Sequence, residues 1–197
     1  MSDTAYILKL FPEIELIKNK EIRDKTIEVW LRVWRKSKWK KIEDCVYNPM
    51  IPINISNLVN HTRVVTKGCI ELAKIAKEIH GVEINLDFLI AASNLHDVCK
   101  LLEYELKDGK VEKTELGDKF VHGFFGAITA LEVGLDPDIA HLISIHTSGS
   151  VLPPKPPMVR EGTILHNVDM IDTDFLRSLS NAPLIYKLSL SKVTGAR

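Results

Sequence analysis

The chain has 197 residues, with 26 basic and 26 acidic side chains, so its formal net charge is zero. This balance provides no whole-molecule attraction to nucleic acid or to anionic membranes. The length suits one domain with a sizeable core. We therefore expect a single domain over residues 1–197, in which a helical extension at 1–55 precedes a core at about 56–180.

The cysteines and the apolar runs indicate the cellular compartment of the protein. Cys45, Cys69 and Cys99 are scattered and form no CxxC pair, a pattern that favours reduced thiols inside a cell. The opening residues show no basic segment followed by a long apolar run, and no apolar run approaches the roughly 20 residues of a membrane helix. We expect a cytoplasmic protein without membrane contact.

The spacing of apolar residues predicts helices in six places. In chain order they cover residues 21–39, 56 or 57 to about 80, 85–100, 118–133, 136 onward and 159–180. Asn85 and Asp136 are expected to cap helix starts, whereas Gly81 and Gly134 are expected to end helices. Apolar residues expected to face inward include Val64, Leu72, Ile79, Phe120, Phe124, Ile128, Leu131 and Phe175. Gly68 is expected to let another helix approach closely.

Two segments between the predicted helices have sequences that predict non-helical structure. Asp108-Gly109 lies between Leu106 and Val111, which predicts a short β-hairpin near residues 103–113 in an otherwise all-α chain. Residues 149–158 contain four prolines and are therefore expected to be irregular. Because they follow His146 directly, we expect them to form one wall of a pocket.

A tryptophan-rich basic segment, RVWRKSKWKK, ends the first long helix. The bases could bind phosphates while the tryptophans stack on nucleic-acid bases. Alternatively, the tryptophans face inward and the charges form a solvated face. The spacing of Trp30 and Trp34 with neighbouring apolar residues favours the second interpretation, so we do not expect nucleic acid as a partner.

Six residues on five predicted helices suggest a buried metal site. A single inward histidine is usually a core residue, and a His-Asp dipeptide is common by chance. Here, however, four imidazoles and two carboxylates recur on inward faces, a set that suits first-row divalent metals. The predicted ligands are His61, His96, Asp97, His122, His146 and Asp169.

Asp97 and Lys100 are the residues expected to take part most directly in chemistry. Asp97 could bridge two ions, and a hydroxide held between such ions would be a nucleophile at neutral pH. Lys100 lies three residues later, on the same side of the predicted helix, and could bind a substrate phosphate. The alternative for Lys100 is an exposed lysine that stabilises a helix end.

The ordered set of ligands resembles the HD-domain superfamily of metal-dependent phosphohydrolases. HDVCK at residues 96–100 is similar to the family's HDIGK, and NHTRVV around His61 resembles its first-ligand helix. The resemblance covers roughly residues 56–175 and implies a compact all-α helical bundle. It also implies core ligands at His61, His96, Asp97 and Asp169, with His122 and His146 as the extra ligands of two-metal members. Cys99 replaces the family's glycine, and the GYP motif of one phosphodiesterase branch is absent.

The resemblance implies an enzyme that uses a metal-bridging hydroxide to hydrolyse a phosphomonoester or phosphodiester of a small molecule, with a nucleotide as one candidate. One or two divalent ions would be the cofactor, with Fe, Mn, Ni, Co and Zn all open. A di-iron oxygenase, or a hydrolase or hydratase of a non-phosphate molecule, stays open on the same ligands. So does a non-catalytic nucleic-acid-binding module. The substrate, the metal and the oligomeric state are not given by the sequence.

Overall fold

The computed structural model describes residues 2–146 and 158–185, which form helices and one small hairpin. The α-helices are α1 Asp3–Leu10, α2 Lys20–Lys36, α3 Leu58–His80, α4 Leu86–Leu95, α5 Lys100–Glu103, α6 Glu115–Lys119, α7 His122–Val133, α8 Pro137–Ile145 and α9 Val159–Leu179. Short 3-10 helices cover Pro12–Leu16 and Ile42–Asp44. The strands are β1 Tyr104–Lys107 and β2 Lys110–Lys113. The predicted all-α class with a short hairpin is confirmed. The predicted pocket wall at 149–158 lies outside the described residues except for Met158.

Local sequence determines where several helices begin and end. The Asn85 side chain accepts a hydrogen bond from the Phe88 amide at 3.2 Å, and Asp136 accepts one from the Asp138 amide at 2.8 Å. Gly81 and Gly134 end α3 and α7 at φ values of 65° and 84°, where a side chain would be strained. These four predicted boundaries are confirmed.

Helix α4 lies in the middle of the fold, packed against α2, α3, α8 and α9. Every residue from Leu89 to Leu95 is buried, including two polar ones, as expected of a helix surrounded by others. The indole of Trp30 on α2 donates a hydrogen bond of 2.7 Å to the side-chain oxygen of Asn94. This buried bond fixes α2 against α4.

Helices α3 and α9 approach each other closely at Gly68. A Cβ atom at this position would lie only 2.7 Å from Cγ1 of Val168, so α9 occupies the space that a side chain would need. The predicted role of Gly68 is confirmed. The close approach brings the first turn of α3, with His61, beside the middle of α9.

Two predicted helices are in fact interrupted. The helix expected over 85–100 ends at Leu95, and His96–Cys99 form turns closed by bonds from Val98 N to Leu95 O and from Lys100 N to Asp97 O. The helix expected over 118–133 is split between α6 and α7. In both cases apolar spacing continues across the break, so periodicity alone could not reveal it.

Several residues predicted to face inward are exposed instead. On α7 the buried positions are taken by small residues, because α8 approaches too closely for a ring: a Cβ on Gly126 would lie 2.9 Å from Cγ2 of Ile143. On α3 the buried face is turned toward Val65 and Cys69. Single exposed apolar side chains are common on protein surfaces, and the rings of Phe120 and Phe124 stack on each other with centroids 5.9 Å apart. The exposed residues are Val64, Leu72, Ile79, Phe120, Phe124, Leu131 and Phe175.

The predicted hairpin is confirmed, and its first strand contacts the tryptophan-rich segment. Asp108 and Gly109 have φ values of 50° and 77°, which both central positions of this tight turn require. The Trp39 indole donates a hydrogen bond of 2.8 Å to the Tyr104 carbonyl at the start of β1. Trp30 and Trp39 are buried, which confirms the interpretation that they face inward.

None of the helices within 2–146 and 158–185 is long and apolar enough to span a membrane.

Candidate metal centre

All six residues singled out from the sequence lie together in the structure. His61 comes from the first turn of α3, and His96 and Asp97 come from the turn after α4. The other three residues come from the start of α7, the end of α8 and the middle of α9. Their potential ligand atoms form two groups, each within 4.8 Å: His61, His96 and Asp169, and Asp97, His122 and His146.

The first group surrounds Nε2 of His61. This atom lies 3.2 Å from Nε2 of His96, 3.2 Å from Oδ1 of Asp169 and 3.4 Å from Oδ2 of Asp97. Ligands with metal bonds of about 2.1 Å are separated by about 3 Å when they are adjacent around one ion. The spacing and the donor types of this group therefore fit a first-row divalent cation.

The second group surrounds the other oxygen of Asp97. Oδ1 of Asp97 lies 2.9 Å from Nε2 of His122 and 3.5 Å from Nε2 of His146, and the two nitrogens are 3.2 Å apart. Oδ2 of the same carboxylate faces His61. Asp97 thus presents one carboxylate oxygen to each group.

Backbone carbonyls orient the two histidines that follow helices. Nδ1–H of His96 donates to the Ser93 carbonyl, and Nδ1–H of His146 donates to the Ile143 carbonyl, both at 2.6 Å. With the proton fixed on Nδ1, each neutral ring presents the lone pair of Nε2 to the centre. That is the tautomer a metal ligand needs.

Carboxylates orient the two histidines that begin helices. Nδ1–H of His61 donates to Oδ2 of Asp172 at 2.7 Å, and Nδ1–H of His122 donates to Oε2 of Glu103 at 2.8 Å. Neither Asp172 nor Glu103 is among the residues predicted from the sequence to act at the site. Asp172 could have been found, because it lies one turn after Asp169 on the same helical face. Glu103 had no such signal, because it lies on the separate short helix α5, after the turn at His96–Cys99.

The electrostatic field of the buried carboxylates at the centre favours positive charge. Asp97, Asp169, Asp172 and Glu103 are buried near one another, with the buried ammonium of Lys100 beside two of them. Burying so many carboxylates is costly unless cations compensate them. The donor set and its charge together fit a centre that holds divalent cations.

The pKa values of the histidines respond to the same field. Burial alone lowers the pKa of His61, but hydrogen bonds to Asp169 and Asp172 outweigh it and raise the pKa to about 9. Burial dominates at His96 and lowers its pKa to about 4. Burial opposes ionisation of Asp97, yet Lys100, His96 and His122 hold the pKa of that carboxyl well below its usual range. Without a metal, a proton on His61 would supply part of the charge that the site requires.

Lys100 is not an exposed lysine at a helix end. It begins α5, is 8% exposed, and places Nζ 3.8 Å from Oδ1 of Asp97 and 3.8 Å from Oε2 of Glu103. The rings of Tyr47 and Tyr104 lie 5.3 and 5.9 Å from Nζ. Both distances from Nζ to a carboxylate oxygen exceed that of a hydrogen bond, so the ammonium donates no hydrogen bond to either oxygen.

Cys99 and His166 lie outside both ligand groups. Cys99 is buried and hydrogen-bonds with Thr129, and burial raises the pKa of its thiol to about 12, so it is a packed thiol. His166 is half-buried, and its Nδ1–H donates to the His146 carbonyl at 2.7 Å. His166 therefore ties α9 to the backbone at the end of α8.

The fold and the paired groups define an α-helical protein with a candidate His/Asp metal centre. A family model described as HD domain matches residues 58–174, a range that contains all six candidate ligands. The chain belongs to the HD-domain family.

Curated relatives resemble this chain over part of their length. It is 31% identical over 107 residues to the dihydroneopterin 2',3'-cyclic phosphate phosphodiesterase of Methanocaldococcus jannaschii, covering 51% of this chain and 43% of the relative. It is 32% identical over 145 residues to the 3'-5' exoribonuclease YhaM of Listeria welshimeri, covering 68% of this chain and 45% of the relative. The match to YhaM of Listeria innocua has the same identity and coverage. The chain thus spans less than half the length of these relatives. No solved structure matches it significantly.

Proposed function

We propose that this chain is a metal-dependent phosphohydrolase that cleaves a phosphodiester in a small phosphorylated molecule. The observation that carries the proposal is the division of the Asp97 carboxylate, which turns Oδ2 toward His61 and Oδ1 toward His122. Such a division suits two cations held a short distance apart, an arrangement common among enzymes that act on phosphate esters.

The proposed ligands form two sets that share Asp97. One ion would be held by His61, His96, Asp97 and Asp169, and the other by Asp97, His122 and His146. When bound, such ions supply a nucleophile at neutral pH and neutralise charge that develops on a phosphoryl oxygen. The imidazole and carboxylate donors suit Fe, Mn, Ni, Co and Zn alike, so the proposal does not name one metal.

Lys100 is proposed to bind a phosphate oxygen of the substrate. Its ammonium lies at the edge of the second ligand group, 3.8 Å from Oδ1 of Asp97, with Tyr47 and Tyr104 on its flanks. The aromatic rings and the neighbouring carboxylates hold the charge in place while leaving its protons for an anion. A phosphate held there would lie beside Asp97, the carboxylate that faces both ligand groups.

The named activities of the relatives favour a phosphodiester over a phosphomonoester. One relative is named for a cyclic phosphate phosphodiesterase and the others for an exoribonuclease, and both names describe phosphodiester cleavage. We propose a small molecule rather than RNA because the indole N–H groups of Trp34 and Trp39 in the basic segment donate to backbone carbonyls within the fold, and Trp39 is buried. They therefore do not provide a surface on which bases could stack.

We also propose that residues 1–55 and 56–180 act as one domain. Helix α2 is bonded to α4 through Trp30 and Asn94, and the backbone of Lys18 and Asn19 donates to the carboxylate of Asp87 at 2.9 Å. These contacts join the N-terminal helices to α4, the helix that His96 follows.

The test is hydrolysis by protein that has been stripped with a chelator and reloaded with one metal at a time. Bis(p-nitrophenyl) phosphate, p-nitrophenyl phosphate, a 2',3'-cyclic nucleotide and single-stranded RNA serve as substrates. We expect metal-dependent cleavage of the diesters, with the small diesters preferred to RNA. Failure to hydrolyse any phosphoester with any of the five metals would refute the proposal, and oxygen consumption by an iron-loaded form would favour an oxygenase.

A further inference from the structure

The four histidines of the centre are held in two different ways, according to their place in a helix. The last carbonyls of a helix have no donor within that helix, so those of Ser93 and Ile143 are free to accept from His96 and His146. Carbonyls in a first turn already accept bonds from their own helix. A histidine in a first turn must therefore find its Nδ1 acceptor on another element.

Glu103 is the external acceptor for His122. Oε2 of Glu103 lies 2.8 Å from Nδ1 of His122, while Oδ1 of Asp97 lies 2.9 Å from Nε2 on the opposite side of the ring. His122 begins α7, whose N-cap residue makes no side-chain capping bond. The ring is thus oriented by two carboxylates rather than by its own helix.

The segment after Glu103 holds this side chain in place. Nζ of Lys113, at the end of β2, lies 3.4 Å from Oε1, and the Thr114 amide donates to the Glu103 carbonyl at 2.9 Å. Helix α6 also packs directly on Glu103. A Cβ at Gly117 would lie 2.4 Å from the Glu103 carbonyl oxygen and 3.0 Å from its Cγ. The hairpin and α6 together leave Glu103 little freedom.

Asp172 is the corresponding acceptor in the ligand group of His61, His96 and Asp169. Asp172 accepts from His61 at 2.7 Å, and it lies on α9, away from the hairpin. Each ligand group therefore contains one histidine oriented by a carboxylate and one oriented by a carbonyl. The two carboxylates lie on different elements, so they can be removed separately.

We propose that Glu103 is a positioning residue, held by the hairpin and α6, that orients His122 and so sets the affinity of the Asp97–His122–His146 group for a divalent cation. The proposal rests on the proposed function only in assuming that this group binds a metal. The hairpin then has a role in assembling half of the centre, and the role is specific to that half.

The experiment compares metal binding by the metal-free full chain and three variants. Mn²⁺ is titrated calorimetrically into wild-type protein, Glu103→Ala, Glu103→Gln and Glu112→Gln. Glu112→Gln removes one carboxylate from the exposed face of β2, outside the site, and is the matched control. Thermal unfolding followed by circular dichroism confirms that each variant is folded.

We expect Glu103→Ala to weaken one of two binding events about 10- to 100-fold, the range for lost partners of metal-ligating histidines, and to leave the other event unchanged. Glu103→Gln keeps an oxygen that accepts the Nδ1–H, so it should recover most of the affinity. Glu112→Gln should match the wild type. In ¹⁵N spectra of the metal-free protein, Glu103→Ala should shift the His122 tautomer away from the form protonated at Nδ1.

Equal weakening of both events, or wild-type binding by Glu103→Ala, would overturn the proposal. A wild type that takes up only one ion would overturn it too, while leaving hydrolysis testable. Absence of any Mn²⁺ binding by the wild type would instead count against the proposed function. If Glu103→Ala does not fold, the Mn²⁺ titration of Glu103→Gln and the ¹⁵N spectrum of the wild type test the proposal instead. A wild-type His122 ring that is protonated at Nε2 alone would contradict it.

Discussion

Nε2 of His61 lies 3.2 Å from Nε2 of His96, although two lone pairs at that distance repel each other. Each ring already donates Nδ1–H elsewhere, to Asp172 and to the Ser93 carbonyl. The contact is therefore favourable only when a positive charge lies on or between these nitrogens. A proton on His61 supplies such a charge, and a divalent cation supplies a larger one.

Metal should stabilise this protein strongly against heat. A cation that binds the folded chain at 1,000 times its Kd adds about 4 kcal/mol to the free energy of unfolding, because the unfolded chain lacks the converged site. We expect the melting temperature of chelator-treated protein to rise on addition of Mn²⁺, Co²⁺, Ni²⁺ or Zn²⁺. Differential scanning calorimetry measures the shift. A melting temperature that none of these ions changes would contradict the assigned centre.

Asp97→Ala should remove metal from both halves of the centre, because Asp97 is the carboxylate that faces both groups. The variant is expected to purify metal-poor and inactive but folded, since the loss also relieves repulsion among the buried carboxylates. Elemental analysis and circular dichroism check both points. His96→Ala should behave similarly at the first group. Asp24→Ala, on the exposed face of α2, is the control, and full activity in Asp97→Ala would refute the scheme.

Lys100→Ala should separate substrate binding from metal binding. Removing the ammonium takes away a contact to phosphate, so we expect kcat/KM for a phosphodiester to fall at least about 10-fold, the effect of losing one charge-assisted bond. Metal affinity should stay the same or rise, because a cation next to Asp97 has been removed. Lys100→Arg keeps the charge and should retain part of the activity. Parallel loss of metal would show that Lys100 acts on the centre and not on the substrate.

Gly68→Ala should destabilise the contact between α3 and α9. The added methyl would meet Val168 at 2.7 Å, and overpacking of this kind typically costs about 1–3 kcal/mol. Urea unfolding measures the loss. Val168→Ala in the same chain makes room for the methyl, so the double variant should lose less than the sum of the two single variants. Strict additivity would mean that the two side chains do not meet.

Part of the fold and of the candidate site could be predicted from the sequence. The caps at Asn85 and Asp136 and the turn at Asp108-Gly109 depend on bonds and dihedral angles within a few residues, so local pattern reveals them. The candidate ligands were recognisable for a related reason. Imidazoles and carboxylates on apolar helical faces are unusual, and their order along the chain resembles that of a known family.

The tertiary structure decided what depends on residues distant in sequence. Phe124 follows the apolar spacing, yet α8 packs against the glycine face of α7, and the Phe124 ring stays exposed. Glu103 shows no helical relationship to His122, and the two meet because the chain turns after α4 and again around the hairpin. Sequence periodicity records which residues share a face of one helix. Which acceptor meets which imidazole is decided when helices pack, because that is when distant groups come within hydrogen-bonding distance.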